Sequence, residues 1–159
     1  ANLGDGIFDV PPYVSAGGRF GVGTDSNIEI TAPGELKQLE YSQRLALRAR
    51  NVLPRRQGKS TGACLYREAL AGGRQALGRR IGSFAEGFRA DIVVLDAAHP
   101  DLAAVGGDFR LDSYIFVAGR SAVDTVFVGG ERLVEGGRHR AREAISRAYV
   151  STVKRLASE

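Results

Sequence analysis

Hydrophobic and polar positions follow a helical period through much of the first half of the chain and an extended pattern through much of the second. Over residues 33–53, Lys37, Glu40, Arg44, Arg48 and Asn51 recur at steps of three and four and predict one solvated stripe. Glu40 lies four residues before Arg44, the favourable orientation for a helical ion pair. Leu36, Leu39, Leu45, Ala46, Leu47, Ala49, Val52 and Leu53 fill a wide arc on the other side. That width suits two neighbours, a sheet and another helix, or a second copy in a homodimer. Pro33 fits the first helical position, Glu35 the first turn, and Pro54 the end. A second helix is predicted to start at Ser60 or Thr61, run through Cys64, Leu65, Ala69 and Leu70, and stop at Gly72-Gly73. A short helical turn over 74–77 then ends at Gly78.

Beyond residue 80 the pattern changes. Residues 89–96 contain a β-branched run of strand length, and 112–117 read as a second strand. Two more strands, Val123–Val128 and Glu131–Glu135, form a hairpin across Gly129-Gly130, a turn that needs positive φ. Ala144, Ile145, Ala148, Tyr149, Val153 and Leu156 share one face of a closing helix.

The first 16 residues read as loop, because Gly4, Asp5, Gly6, Pro11 and Pro12 punctuate them and the prolines forbid a continuous helix. Asn2, Asp5 and Tyr13 could face a ligand, although turn chemistry accounts equally well for the first two. Residues 19–24 then predict a short strand. Gly21 and Gly23 strip one face of side chains, so that another backbone or a ligand can approach. Asp25 sits at its exit, where α/β folds place ligands and catalytic groups. The same residue also suits a turn that needs only a capping carboxylate.

Composition narrows the class. A chain of 159 residues, 43% hydrophobic and 25% charged, can bury one core, or a core and a small satellite. The net charge is +4, but the arginines are interleaved with acids, which argues against a nucleic-acid partner. The cluster Arg55-Arg56-Gln57-Gly58-Lys59 reads as a solvated connection between helices. A single cysteine, Cys64, excludes an internal disulfide and suits a reducing, cytoplasmic setting, its place on an apolar helix face predicting a buried thiol. No run approaches membrane-spanning length and no signal peptide is visible, so no membrane partner is expected.

A specific resemblance now enters. The series Ala69-Leu70-Ala71-Gly72-Gly73-Arg74-Gln75-Ala76-Leu77-Gly78, Ile81-Gly82-Ser83, Gly87 and Ala90-Asp91-Ile92-Val93-Val94-Leu95-Asp96 resembles the junction between barrel and β domain in the amidohydrolase superfamily. Phe88 replaces the usual lysine there and Arg74 the usual alanine. Gly23-Thr24-Asp25-Ser26 resembles the superfamily's eighth barrel strand with its metal-site aspartate. Residues 1–8, 17–26 and 39–44 are most similar to the branch that deiminates formimino amino acids.

The resemblance implies an α/β fold. Residues 1–80 would be the C-terminal strands and helices of a (β/α)8 barrel, 81–137 a small flanking β-sandwich-like domain, and 138–159 a C-terminal helix. It also implies zinc-dependent hydrolysis, another divalent metal being an alternative, of N-formimino-L-glutamate to N-formyl-L-glutamate and ammonia. Metal-activated water would attack the amidine-like carbon, with Asp25 both binding the metal and relaying the proton. Same-class alternatives are deaminases of a purine, pyrimidine or triazine ring. A non-catalytic α/β scaffold, in which Asp25 only shapes a turn, is the alternative of another class. The superfamily's histidine ligands have no counterparts here, since His99 and His139 fall outside barrel-strand exits. The expectation is therefore that these histidines and the groups binding substrate lie in a missing N-terminal segment. The 159 residues alone would then bind no zinc tightly and be inactive.

Overall fold

A computed structural model describes residues 3–53 and 60–158. Helix α1 (Val10–Ser15) comes first, and it corrects the loop expected there. Pro11 and Pro12 lie in its first turn, where an absent N–H costs no helical hydrogen bond. The following residues 18–24 form no regular element and pair with no strand among the described residues, so the strand predicted over 19–24 is absent.

Helix α2 (Ala32–Leu47) starts where expected. Thr31 Oγ1 accepts from the Gly34 N–H at 3.0 Å, Pro33 lies in the first turn, and Glu35 faces the positive end of the helix dipole. The helix is shorter than predicted. It ends at Arg48, which takes a left-handed φ of 52° six residues before Pro54, itself outside the described residues. The 55–59 basic cluster also lies outside them.

The predicted solvated stripe is wrong at its centre, because Glu40 is fully buried. Its carboxylate accepts from Arg44 Nε at 2.7 Å and from the backbone N–H groups of Val52 and Leu53 at 2.9 and 3.1 Å. It thereby ties the chain beyond the helix back onto the helix. On the opposite arc, Leu45 and Leu47 are exposed, at 78% and 53%.

Helix α3 (Thr61–Leu77) is capped by Ser60, whose Oγ accepts from Ala63 N. It does not stop at Gly72-Gly73 but runs on to the left-handed Gly78. Those glycines answer a different need: a Cβ on Gly72 would stand 1.9 Å from the Phe20 carbonyl oxygen, and one on Gly21 would stand 3.3 Å from the Gly73 Cα. The glycine-lined 18–24 segment therefore meets another backbone, one of the two approaches its composition predicts.

Strand β1 (Ile92–Leu95) lies inside the predicted 89–96 run. After the short helix α4 (Pro100–Ala103) the largest departure occurs. Residues 112–117 are not a strand: helix α5 (Phe109–Ser113) passes into a π-helical stretch (Tyr114–Ala118) and a 3-10 turn (Gly119–Ala122). Burial against helices decides this. Tyr114 and Ile115 enter the core formed by Leu36 of α2, Leu65 of α3, Leu102 of α4 and Ala122, and the stretch packs on α2. Strands β2 (Val123–Val128) and β3 (Glu131–Glu135) form the expected hairpin, with Gly129 and Gly130 at φ 60° and 85°. With β4 (Arg138–His139) they complete an antiparallel sheet in the order β1-β2-β3-β4. Helix α6 (Arg142–Leu156) closes the chain, its Ile145, Tyr149 and Leu156 well exposed.

Two carboxylates join these pieces. Asp112 accepts from the Gly62 N–H at 2.6 Å and holds α5 on the start of α3. Asp91 accepts from the Gly129 N–H at 2.7 Å and from Arg89 Nε at 3.1 Å, pinning the hairpin turn beside β1. No described helix is long and apolar enough to cross a membrane.

Candidate functional site

Asp25 is exposed, at the start of a turn that follows the 18–24 segment. Its φ of 42° is left-handed, a conformation that a short polar side chain tolerates far better than a bulky one. The turn closes when Asn27 N–H donates to the Thr24 carbonyl at 2.7 Å. Asn27 Nδ2 then donates to Glu35 Oε1 at 2.8 Å in the first turn of α2. Two residues beyond Asp25, the loop is thus tethered to a helix start that is itself capped. On its other side Asp25 follows the segment pressed onto Gly72-Gly73. The carboxylate is exposed on a loop held at both ends.

Glu35 also lines a cleft of about 480 Å³ with Asp5, Phe8, Gln38 and Ser42. Asp5 therefore borders a cavity, while Tyr13 donates its hydroxyl to the Arg19 carbonyl at 2.8 Å and serves the local turn. Asn2 lies outside the described residues. The wall from residue 8 to 10 is fixed by Gln43, which is buried. Its Nε2 donates to the Phe8 carbonyl at 2.8 Å and its Oε1 accepts from Val10 N at 3.3 Å. Neither Gln43 nor the Asn27–Glu35 tether stands out in the sequence, because their partners are backbone or distant side chains.

The two histidines serve the backbone. His99 Nδ1 accepts from the Asp101 N–H at 3.3 Å and caps α4, with Nε2 3.2 Å from Ser121 Oγ. His139 Nδ1 accepts from the Ala141 N–H at 3.1 Å before α6. Cys64 is half-buried, its thiol 3.7 Å from the Leu53 carbonyl. Among the described residues no three His, Cys, Asp or Glu side chains converge as a metal site. A catalytic zinc takes three protein ligands, so these residues do not by themselves fit one. Burial disfavours ionisation of both Tyr66 on α3 and Tyr114, raising the pKa of the first and pushing that of the second up to about 12, with Tyr66 adding to the latter.

A family model described as the amidohydrolase family matches residues 1–133. Formimidoylglutamate deiminase of Pseudomonas aeruginosa is 46% identical over 156 residues, which is 98% of this chain and 34% of that protein. The crystal structure of an amidohydrolase from Brucella melitensis superposes with a TM-score of 0.88 at 45% identity, over 98% of this chain and 34% of that one. Atrazine chlorohydrolase from Arthrobacter aurescens TC1, complexed with zinc, superposes with a TM-score of 0.75 at 25% identity, over 94% and 33%. The chain spans about a third of the length of these proteins.

Proposed function

Because the chain belongs to the amidohydrolase family, we propose that its residues serve the hydrolysis of a C–N bond in a formimino amino acid, N-formimino-L-glutamate. Water adds to the formimino carbon, the C–NH2 bond breaks, and N-formyl-L-glutamate and ammonia leave. The 46% identity to a formimidoylglutamate deiminase, carried over 98% of the chain, is the observation that supports this substrate.

Asp25 is the residue of this chain assigned to the reaction. Its carboxylate accepts a proton from the attacking water and returns it to the departing nitrogen. The left-handed turn and the Asn27–Glu35 tether hold it in place without using its oxygens. A zinc centre like that named for the Arthrobacter protein needs ligands from outside these 159 residues, and Asp25 would be the ligand supplied from within. The barrel belongs to the same reading: α2, α3 and the 18–24 segment against Gly72-Gly73 would form its last part, and the 92–139 sheet its β-domain flank.

The test is ammonia release from N-formimino-L-glutamate by the protein carrying the whole family domain, comparing Asp25 with Asp25→Asn. Asparagine fits the left-handed φ as well as aspartate does, so circular dichroism should not change. Turnover should fall by about a hundred- to ten-thousandfold. Activity within about threefold, far inside that loss, would reduce Asp25 to a turn residue. Release of ammonia from a purine but not from the formimino substrate would overturn the substrate assignment.

A further inference from the structure

Asp5 is the one aspartate in the chain followed by glycine, and none of the asparagines, Asn2, Asn27 and Asn51, precedes one. Asp5 and Gly6 are both exposed in an irregular segment, where Gly4 and Gly6 take φ of 75° and 91°. A Cβ added to either glycine would meet nothing within 4 Å. Among the described residues, neither the Asp5 carboxylate nor the Gly6 N–H makes a hydrogen bond. Other aspartates are held. Asp91, Asp96 and Asp112 accept from the N–H groups of Gly129, Ala98 and Gly62 at 2.7, 2.8 and 2.6 Å, and Asp108 pairs with Arg67. Glycine after aspartate matters because it sets no side chain beside its own nitrogen and leaves the backbone free to turn. Asp5 Cγ and Gly6 N are joined through Cβ, Cα and the carbonyl carbon, so rotation about the Cα–Cβ and Cα–C bonds is enough to close a five-membered ring.

We propose that Asp5-Gly6 is a site of spontaneous covalent modification, at which the aspartate becomes isoaspartate. The Gly6 nitrogen attacks Cγ of the neutral Asp5 carboxyl and gives up its proton, the Cγ–OH bond breaks, and one water leaves. The product is a succinimide. Water then adds to one of its two carbonyl carbons. Addition at Cγ breaks the new bond to nitrogen and restores aspartate. Addition at the main-chain carbonyl breaks the original peptide bond, so that the chain runs through Cβ and Cγ and the freed α-carboxylate becomes the side group. One water is lost and one is gained, and nothing is oxidised or reduced. The added main-chain carbon must be absorbed locally, because the Phe8 carbonyl is fixed by Gln43 Nε2 at 2.8 Å. It therefore reshapes the wall of the cleft that Asp5 shares with Glu35, Gln38 and Ser42. This chemistry holds whatever bond the protein hydrolyses.

The experiment incubates the folded protein, carrying the whole family domain, at neutral pH, digests it with trypsin and isolates the peptide that ends at Arg19. An isomer of unchanged mass should accumulate over weeks, beside a succinimide lighter by one water. The isomer should accept a methyl group from S-adenosylmethionine through an isoaspartate-specific methyltransferase. Its rate of formation should lie within about tenfold of that in a synthetic peptide of residues 1–19, because an exposed irregular segment opens at little cost. Gly6→Ala should lose the product. So should Asp5→Glu, which keeps the charge but would have to close a larger ring. Asp25, exposed as well but followed by serine, should convert more slowly than Asp5. No isomer at Asp5, or formation slower than in the peptide by more than that tenfold margin, would overturn the proposal. Equal conversion at Asp25, or survival of the product in Asp5→Glu, would overturn it too.

Discussion

Replacing Glu40 by alanine should cost about 3 kcal/mol of stability. Two backbone N–H groups, those of Val52 and Leu53, lose their acceptor. Both residues are half-buried, so water can partly replace it, and each loss stands near the low end of the range, about 1 kcal/mol. The ion pair with Arg44 adds about 1 kcal/mol, discounted because that side chain is 28% exposed. For a chain of this length the thermal midpoint should fall by about 6–12 °C. Glu40→Gln keeps an acceptor for the backbone and should lose about half as much. Urea unfolding followed by circular dichroism measures both, with an unchanged m value showing that the folded state is otherwise preserved. The exposed pair in which Arg67 Nη2 donates to both Asp108 carboxylate oxygens, at 2.7 and 2.9 Å, is the control, and Asp108→Ala should cost no more than about 1 kcal/mol. A loss below about 0.5 kcal/mol for Glu40→Ala, the range of ordinary surface changes, would refute the view that this carboxylate anchors residues 52 and 53.

Gly72→Ala should destabilise by about 1–3 kcal/mol, the usual cost of overpacking, since the new Cβ meets the Phe20 carbonyl, whereas Gly73→Ala, with open space around it, should be neutral or slightly stabilising; equal effects in thermal melts would contradict the backbone contact. Tyr114 ionises at about 12 when folded against 10.0 for the free side chain, and Tyr66 is raised in the same direction. The folded state therefore holds these protons more tightly, and stability present below pH 10.0 should decline as pH rises towards about 12. Tyr66→Phe with Tyr114→Phe should flatten that decline, and a decline identical in the double variant would assign it elsewhere.

What the sequence made legible was local chemistry. The hairpin could be read because Gly129-Gly130 meets a φ requirement within four residues, and the helix starts because Thr31 and Ser60 cap N–H groups three residues away. Asp25 could be singled out, but its tether could not, since Glu35 shows equally well as a dipole-favoured acid whether or not Asn27 binds it. Glu40 illustrates the limit most clearly. Its spacing to Arg44 is that of a solvated pair, and only the return of residues 52 and 53 over the helix turns it into a buried acceptor. Residues 112–117 misled for a related reason: a β-branched and aromatic run announces burial, and packing against α2 and α3, not propensity, decides whether a sheet or helices surround it. The glycines at 72 and 73 look like a stop signal until residue 20 is brought against them.

The bond from Asp91 to the turn at Gly129 spans 38 residues and so belongs to a particular moment in folding. The β2–β3 hairpin is local and closes on the scale of microseconds. β1 can join it only after the intervening chain, with α4, α5 and the π-helical stretch, has been gathered in. By that order the Asp91 clasp is expected to fasten late, after β1 has joined the hairpin. Loss of a contact that forms late is expected to accelerate unfolding more than it slows folding. A carboxylate beside an exposed sheet edge would then govern how long the sheet stays assembled, not how quickly it forms.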